Sequence, residues 1–67
     1  MPNTKLIKSQ MVKKEKTIQA LANEMGLTAY TLGQKLSGKA PLTIKEARTL
    51  QKILAIDDKD IPEYFFD

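Results

Sequence analysis

Gly26 and Gly38 each close a short run whose apolar residues recur at helical spacing, and this punctuation limits what the chain can build. Glycine reaches positive φ at little steric cost, so it suits the left-handed position just past a helix end. The run before Gly26, TIQALANEM, repeats apolar residues at Ile18, Leu21, Ala22 and Met25. The run before Gly38, TAYTLGQKLS, places Leu32 and Leu36 together. Each run opens on a threonine, Thr17 or Thr28, whose hydroxyl can cap the first turn. Leu27 and Leu32 stand at N′ and N4 of the second run, the spacing of a hydrophobic staple.

The remaining segments read the same way. TKLIKSQMVKK sets Leu6, Ile7 and Met11 on one side. Pro41 blocks helix in the connector GKAPL, and Thr43 with Glu46 forms a T-x-x-E capping box before a stripe of Ile44, Ala47, Leu50, Ile53 and Leu54. In DIPEYFF, Asp60 is read as N-cap and Glu63 as N3, with Pro62 in the first turn and Ile61 and Phe65 facing inward. No β-branched run alternates long enough to suggest a strand. The sequence therefore predicts an all-α fold of five short helices, spanning approximately 4–14, 17–25, 28–37, 43–55 and 60–66, in one domain over 1–67.

At 67 residues the core is marginal, since a domain of this size buries about 60% of the surface its unfolded chain exposes. There is no Cys and no His, which excludes disulfides, Cys/His zinc sites and Cys- or His-based catalysis; no metal site and no cofactor is expected. Most carboxylates cluster near the end at solvated spacing, so no enzyme and no small-molecule substrate is read. No apolar stretch approaches the roughly 20 residues that span a bilayer, and the N-terminus lacks a signal-peptide pattern; a cytoplasmic protein without a membrane partner is expected. The net charge of +3 is unevenly spread. Lys5, Lys8, Lys13, Lys14 and Lys16 face only Glu15 at the front, whereas Asp57, Asp58, Asp60, Glu63 and Asp67 face only Lys59 at the tail. The basic front is either an attraction for a polyanion or a solvated helix face.

Two helices of about ten residues joined by a tight turn that begins with Gly26 have the pattern of a helix-turn-helix. Ala22 is small where the helices cross, and Leu27 and Leu32 fix the angle of the second helix. On a helical wheel Leu32 and Leu36 face the core, while Tyr30, Gly33, Gln34 and Ser37 fall on the opposite side. In a helix-turn-helix that outer face enters the major groove. Gln34 can pair bidentately with adenine N6 and N7. Tyr30 can touch a thymine methyl, stack on the groove wall or reach a phosphate, or else lie over the domain surface. Thr28 and the backbone N–H groups of residues 28–30, Ala29 among them, can meet a phosphate, and Lys39 can reach the backbone of the same groove. Gly33 either lets the helix backbone approach DNA closely or is a tolerated surface residue.

The run LANEMGLTAYTLGQKLSGK resembles the helix-turn-helix family of phage repressors and Cro proteins, and the likeness extends through the T-x-x-E start of helix four to the IPEYFF end. The resemblance implies a compact five-helix phage repressor/Cro-like domain with its helix-turn-helix at helices 2–3, acting as a transcriptional regulator. It implies binding to a double-stranded DNA operator in two parts, as a homodimer. Two positions depart from the family pattern. Ile18 stands where many members carry a phosphate-holding Gln, so Lys16, Thr17 and Gln19 would have to compensate. Met11 and Leu36 stand where relatives often bury an Arg–Glu pair, an exchange that is often neutral or stabilising. Without a second domain, a Cro-like chain dimerises through the same small unit, and the candidates are Tyr64, Phe65 and Phe66. Three consecutive aromatics cannot all face one core, so at least one is expected to be exposed. Two other functions suit the same fold: a protein-interaction module such as an antitoxin or adaptor, and an excisionase-like protein that bends DNA.

Overall fold

Four threonine or asparagine caps start the four longer helices. In the computed structural model, which describes residues 2–66, these helices are α1 (Thr4–Lys13), α2 (Ile18–Glu24), α3 (Ala29–Leu36) and α4 (Ile44–Leu54). Met1 and Asp67, the last residue of the acidic tail, lie outside the described residues. Asn3 Oδ1 accepts from Leu6 N–H, Thr17 Oγ1 from Ala20 N–H and Thr28 Oγ1 from Thr31 N–H. At α4 the box is complete: Glu46 N–H donates to Thr43 Oγ1 and Thr43 N–H to Glu46 Oε1, at 3.1 and 3.0 Å. Each such cap satisfies a backbone donor that the helix leaves open.

The same four helices also end alike. The residue past each end turns left-handed, and two backbone N–H groups reach back to carbonyls of the last turn, the Schellman arrangement. Gly26 (φ 71°) and Gly38 (φ 84°) do this as the sequence predicts. Glu15 (φ 55°) and Ala55 (φ 53°) do it without being glycine. The bond of each pair that spans more residues runs from Lys16 N–H to Met11 O, Leu27 to Ala22, Lys39 to Gln34 and Ile56 to Gln51, at 2.9 to 3.0 Å. A Cβ at a left-handed residue costs roughly 1–2 kcal/mol, so two of the four corners are strained and two are relaxed.

The last helix, α5 (Ile61–Phe65), keeps the positions read from the sequence, with Asp60 at the N-cap and Glu63 at N3, but the Asp60 side chain makes no capping bond: Asp60 closes a 3₁₀ turn, Asp58–Asp60, that runs straight into the helix. Pro62 sits in the first turn of α5, where its missing N–H is harmless.

The helices wrap one apolar core of Ile7, Met11, Leu21, Ala22, Leu32, Leu36, Ala47, Leu50, Leu54, Ile56 and Phe65, within an envelope of 28 × 24 × 20 Å. Met11 and Leu36 both belong to it. The buried stripe of α4 begins at Ala47, not at Ile44, which is 72% exposed. Ile18 likewise sits at the surface on the first turn of α2. Side chains bind the ends of the chain to its middle. Thr4 Oγ1 donates to Leu36 O at 2.6 Å and Gln10 Nε2 to Leu54 O at 2.7 Å, closing carbonyls at the ends of α3 and α4. Asn3 N–H donates to Tyr64 O at 2.7 Å, and the Tyr64 hydroxyl to Gln10 Oε1 at 3.4 Å. Among the described residues the fold is helical throughout and holds no strand. No helix in it is long and apolar enough to cross a membrane.

Candidate functional site

The site is built on α3, and its position follows from which residues α2 needs. Leu32 is fully buried and Leu36 nearly so, both in the core that Leu21 and Ala22 of α2 also enter. The turn between α2 and α3 is held by Gly26 and by the Leu27–Ala22 backbone bond. With one side of α3 fixed in this way, the other side faces outward. Tyr30 is 76% exposed, Ser37 is exposed, and Gly33 and Gln34 are half-buried along the same face.

Tyr30 and Gln34 are not independent. Gln34 Nε2 donates to the Tyr30 hydroxyl at 3.0 Å across one helical turn. This bond uses one of the two amide protons and leaves the second proton and Oε1 free. That remaining edge is a donor beside an acceptor, the pattern that matches adenine N7 and N6. The hydroxyl keeps its own proton for a further acceptor. Ser37 Oγ donates to Gln34 O at 3.1 Å, so its hydroxyl is turned toward the helix end.

Gly33 faces Ile18 of α2. A Cβ built at Gly33 would meet only Ile18 Cδ1, at 3.7 Å, which is ordinary contact. Nothing inside the molecule therefore requires glycine in the middle of α3. Ile18, the position at which the family resemblance implies a lost phosphate contact, thus lies beside Gly33 across the two helices.

At the margins of this face the expected residues divide. Thr28 is engaged as the cap of α3 and also donates to Thr31 Oγ1 at 3.0 Å. Thr17 caps α2. Ala29 is half-buried in the first turn of α3, and Gln19 and Lys39 are exposed. Lys16 is not a free cation, because its Nζ lies 3.0 Å from Glu24 Oε2. Sequence spacing gave no sign of that pair, which forms across the length of α2.

A second ion pair, also absent from the sequence reading, fixes α3 against α4. Lys35 Nζ donates to Glu46 Oε1 at 3.1 Å and to Pro41 O at 3.0 Å. Glu46 thus serves both the capping box and the α3–α4 junction. Its carboxyl is held below the usual range, first by the Thr43 N–H bond and then by Lys35, with burial opposing. Lys35 points away from the Tyr30 face, and this pair sets the attitude of the outer face without lying on it.

The aromatic tail is corrected at one position. Phe65 is 4% exposed and belongs to the protein's own core, so it is unavailable to a partner. Tyr64 is half-buried and tied to Gln10, whereas Phe66 is 65% exposed. Phe66 borders a cleft of 320 Å³ that also takes in Pro41, Leu42, Ile44 and Ala47. The described residues contain no group of three or more Asp and Glu side chains placed to hold a metal ion.

By class, then, this is a small all-helical domain whose third helix is fastened along one side and polar along the other. No protein-family model matches the chain, and no curated protein matches it.

Proposed function

We propose that the chain is a sequence-specific DNA-binding regulator of transcription, of the phage repressor/Cro type, with α2 and α3 as its helix-turn-helix. In this reading α3 lies in the major groove and two copies occupy a two-part operator. The observation that carries it is the division of α3: Leu32 and Leu36 are sealed against the core while Tyr30 and Gln34, bonded to each other, stand outward. Gln34 reads an adenine with the free edge of its amide, and Tyr30 holds that amide in register. Thr28, the N–H groups of Ala29 and Tyr30, and Thr17 and Gln19 at the start of α2 position the phosphates. Lys39, just past α3, adds a cation to the same backbone.

Selection of bound sequences from a random DNA pool, followed by titration over a range of salt, tests this. Half-sites centred about 34–36 Å apart are expected. The logarithm of affinity should fall linearly with the logarithm of salt concentration, by about 0.9 for each phosphate neutralised. Gln34→Ala should relax the preference at one base pair per half-site. The reading fails if the pool yields no preferred sequence, or if a preferred sequence survives both Tyr30→Ala and Gln34→Ala unchanged. Binding to a protein through the aromatics would instead be insensitive to salt, and a DNA-bending role would appear as preference for deformable steps without base readout at Gln34.

A further inference from the structure

Gln34 is held at both its backbone and its amide. Its main-chain carbonyl accepts from Lys39 N–H at 2.9 Å and from Ala40 N–H and Ser37 Oγ at 3.1 Å, so the corner after α3 fixes its stem. Its Nε2 donates to the Tyr30 hydroxyl at 3.0 Å, and Tyr30 stands outward, 76% exposed. An untethered glutamine turns its amide freely and presents either edge. The bond to Tyr30 removes that choice, because Nε2 has to face the tyrosine. Oε1 and the second amide proton then keep set places on the outward edge.

That edge is complementary to one chemical state of adenine. The N6 amino group carries two protons. In a base pair one is committed to thymine, and the other stands in the major groove beside N7. Gln34 Oε1 needs this second proton. When N6 carries a methyl group, pairing keeps the one proton that remains, and the methyl takes the groove position. Oε1 then faces carbon in place of a donor, and the methyl crowds the approach of Nε2 to N7. A site built around a hydrogen bond rejects an analogue that lacks the donor, since its own polar atom is left unpaired. A glutamine free to swing aside would soften that rejection, and the tie to Tyr30 prevents the swing.

We propose that the Tyr30–Gln34 pair makes the protein sensitive to the methylation state of its DNA site: it binds where the contacted adenine is unmodified and is excluded where N6 is methylated. The inference rests on the proposed function and deepens it, naming a chemical mark on the duplex that controls occupancy. Gln34 is the contacting residue, and Tyr30 is a positioning residue. Phosphate contacts take no part, because the two duplexes carry the same backbone.

The test uses the duplex selected from the random pool, synthesised with adenine, N6-methyladenine or 7-deazaadenine at the base pair whose preference Gln34→Ala relaxes. Each duplex is titrated with the full chain and with its Gln34→Ala and Tyr30→Phe variants. The wild type should bind a site methylated in one half on the order of tenfold more weakly than the unmodified site. The dependence on salt should be the same for both, as the same phosphates are neutralised. Loss of N7 in 7-deazaadenine should also weaken the wild type, whereas Gln34→Ala should bind all three duplexes alike. Tyr30→Phe should melt as the wild type does and discriminate less sharply against the methyl group. The inference is overturned, with the proposed function left standing, if binding stays sequence-specific but methylation does not change affinity. It is also overturned if the base pair relaxed by Gln34→Ala holds no adenine, if Gln34→Ala loses as much on methylation as the wild type, or if Tyr30→Phe discriminates equally well. A pool that yields no preferred sequence would remove the proposed function and this inference together.

Discussion

Replacing Gly33 and Gly26 in turn by alanine puts the same methyl group at two places in the α2–α3 unit, with opposite expected outcomes. Gly33 lies inside α3, and its new Cβ would touch only Ile18 Cδ1 at 3.7 Å. The substitution removes a helix-propensity deficit of about 0.8–1.0 kcal/mol and introduces no clash. At Gly26 nothing lies within 4 Å, yet φ is +71°. Space is not the constraint there, and a left-handed alanine costs roughly 1–2 kcal/mol. In a domain of this size about 1 kcal/mol moves Tm by about 4–8 °C. Thermal melts followed by circular dichroism should therefore place Gly33→Ala about 4–8 °C above the wild type and Gly26→Ala below it by at least as much. DNA affinity should not follow stability. If the bare backbone at Gly33 lets α3 sit deep in the groove, the more stable Gly33→Ala protein binds its selected site on the order of tenfold more weakly, the loss of about one good base contact. A lower Tm for Gly33→Ala would refute the reading of space around α3. A higher Tm with unchanged affinity would refute the close approach and leave Gly33 a tolerated surface residue.

Ala55→Gly relieves a left-handed alanine but loosens the unfolded chain, and the net expectation is stabilisation of about 0.5–1 kcal/mol, read as a higher urea midpoint at unchanged m-value. Met11→Arg buries an unpaired charge and should destabilise by about 3 kcal/mol or more; adding Leu36→Glu should recover part of that in a thermal melt, and no recovery would count against the packing of these two positions. Glu46, whose pKa is lowered in the fold, contributes stability that is present above its ordinary value of 4.5 and is lost as the pH falls through the lower folded value. Glu46→Gln should accordingly be less stable than the wild type at neutral pH, with the gap closing on acidification in paired denaturation curves; a gap that does not depend on pH would remove Lys35 and the charged cap as its cause.

Much of the frame was legible because its signals are local. Thr17, Thr28 and Thr43 cap where their spacing from the apolar residues placed them, and Gly26 and Gly38 turn left-handed where the helical periodicity stops. The burial of Leu21, Ala22, Leu32 and Leu36, and hence the outward face of α3, followed from period alone. Glu15 and Ala55 were not legible, because neither residue type advertises positive φ, and the hydrogen bonds of the finished corner impose it on them. Ile44 was misplaced since a helical stripe gives a direction and not the point at which the helix leaves its support. Asp60 stands at the cap position its motif gives it, but the residues before it already coil into a 3₁₀ turn and its carboxylate makes no capping bond. The bonds of Thr4 to Leu36 and of Gln10 to Leu54 join residues far apart in the chain, and no local pattern announces them.

The bond from Asn3 to Tyr64, with Gln10 beneath it, has a consequence for how the chain comes off the ribosome. α1 is made before α5 and acquires these partners only when Tyr64 has been synthesised. Until then the middle helices have to hold together with one flank uncovered. A nascent chain stalled short of Tyr64 would lack these bonds along the side where α1 and α5 meet.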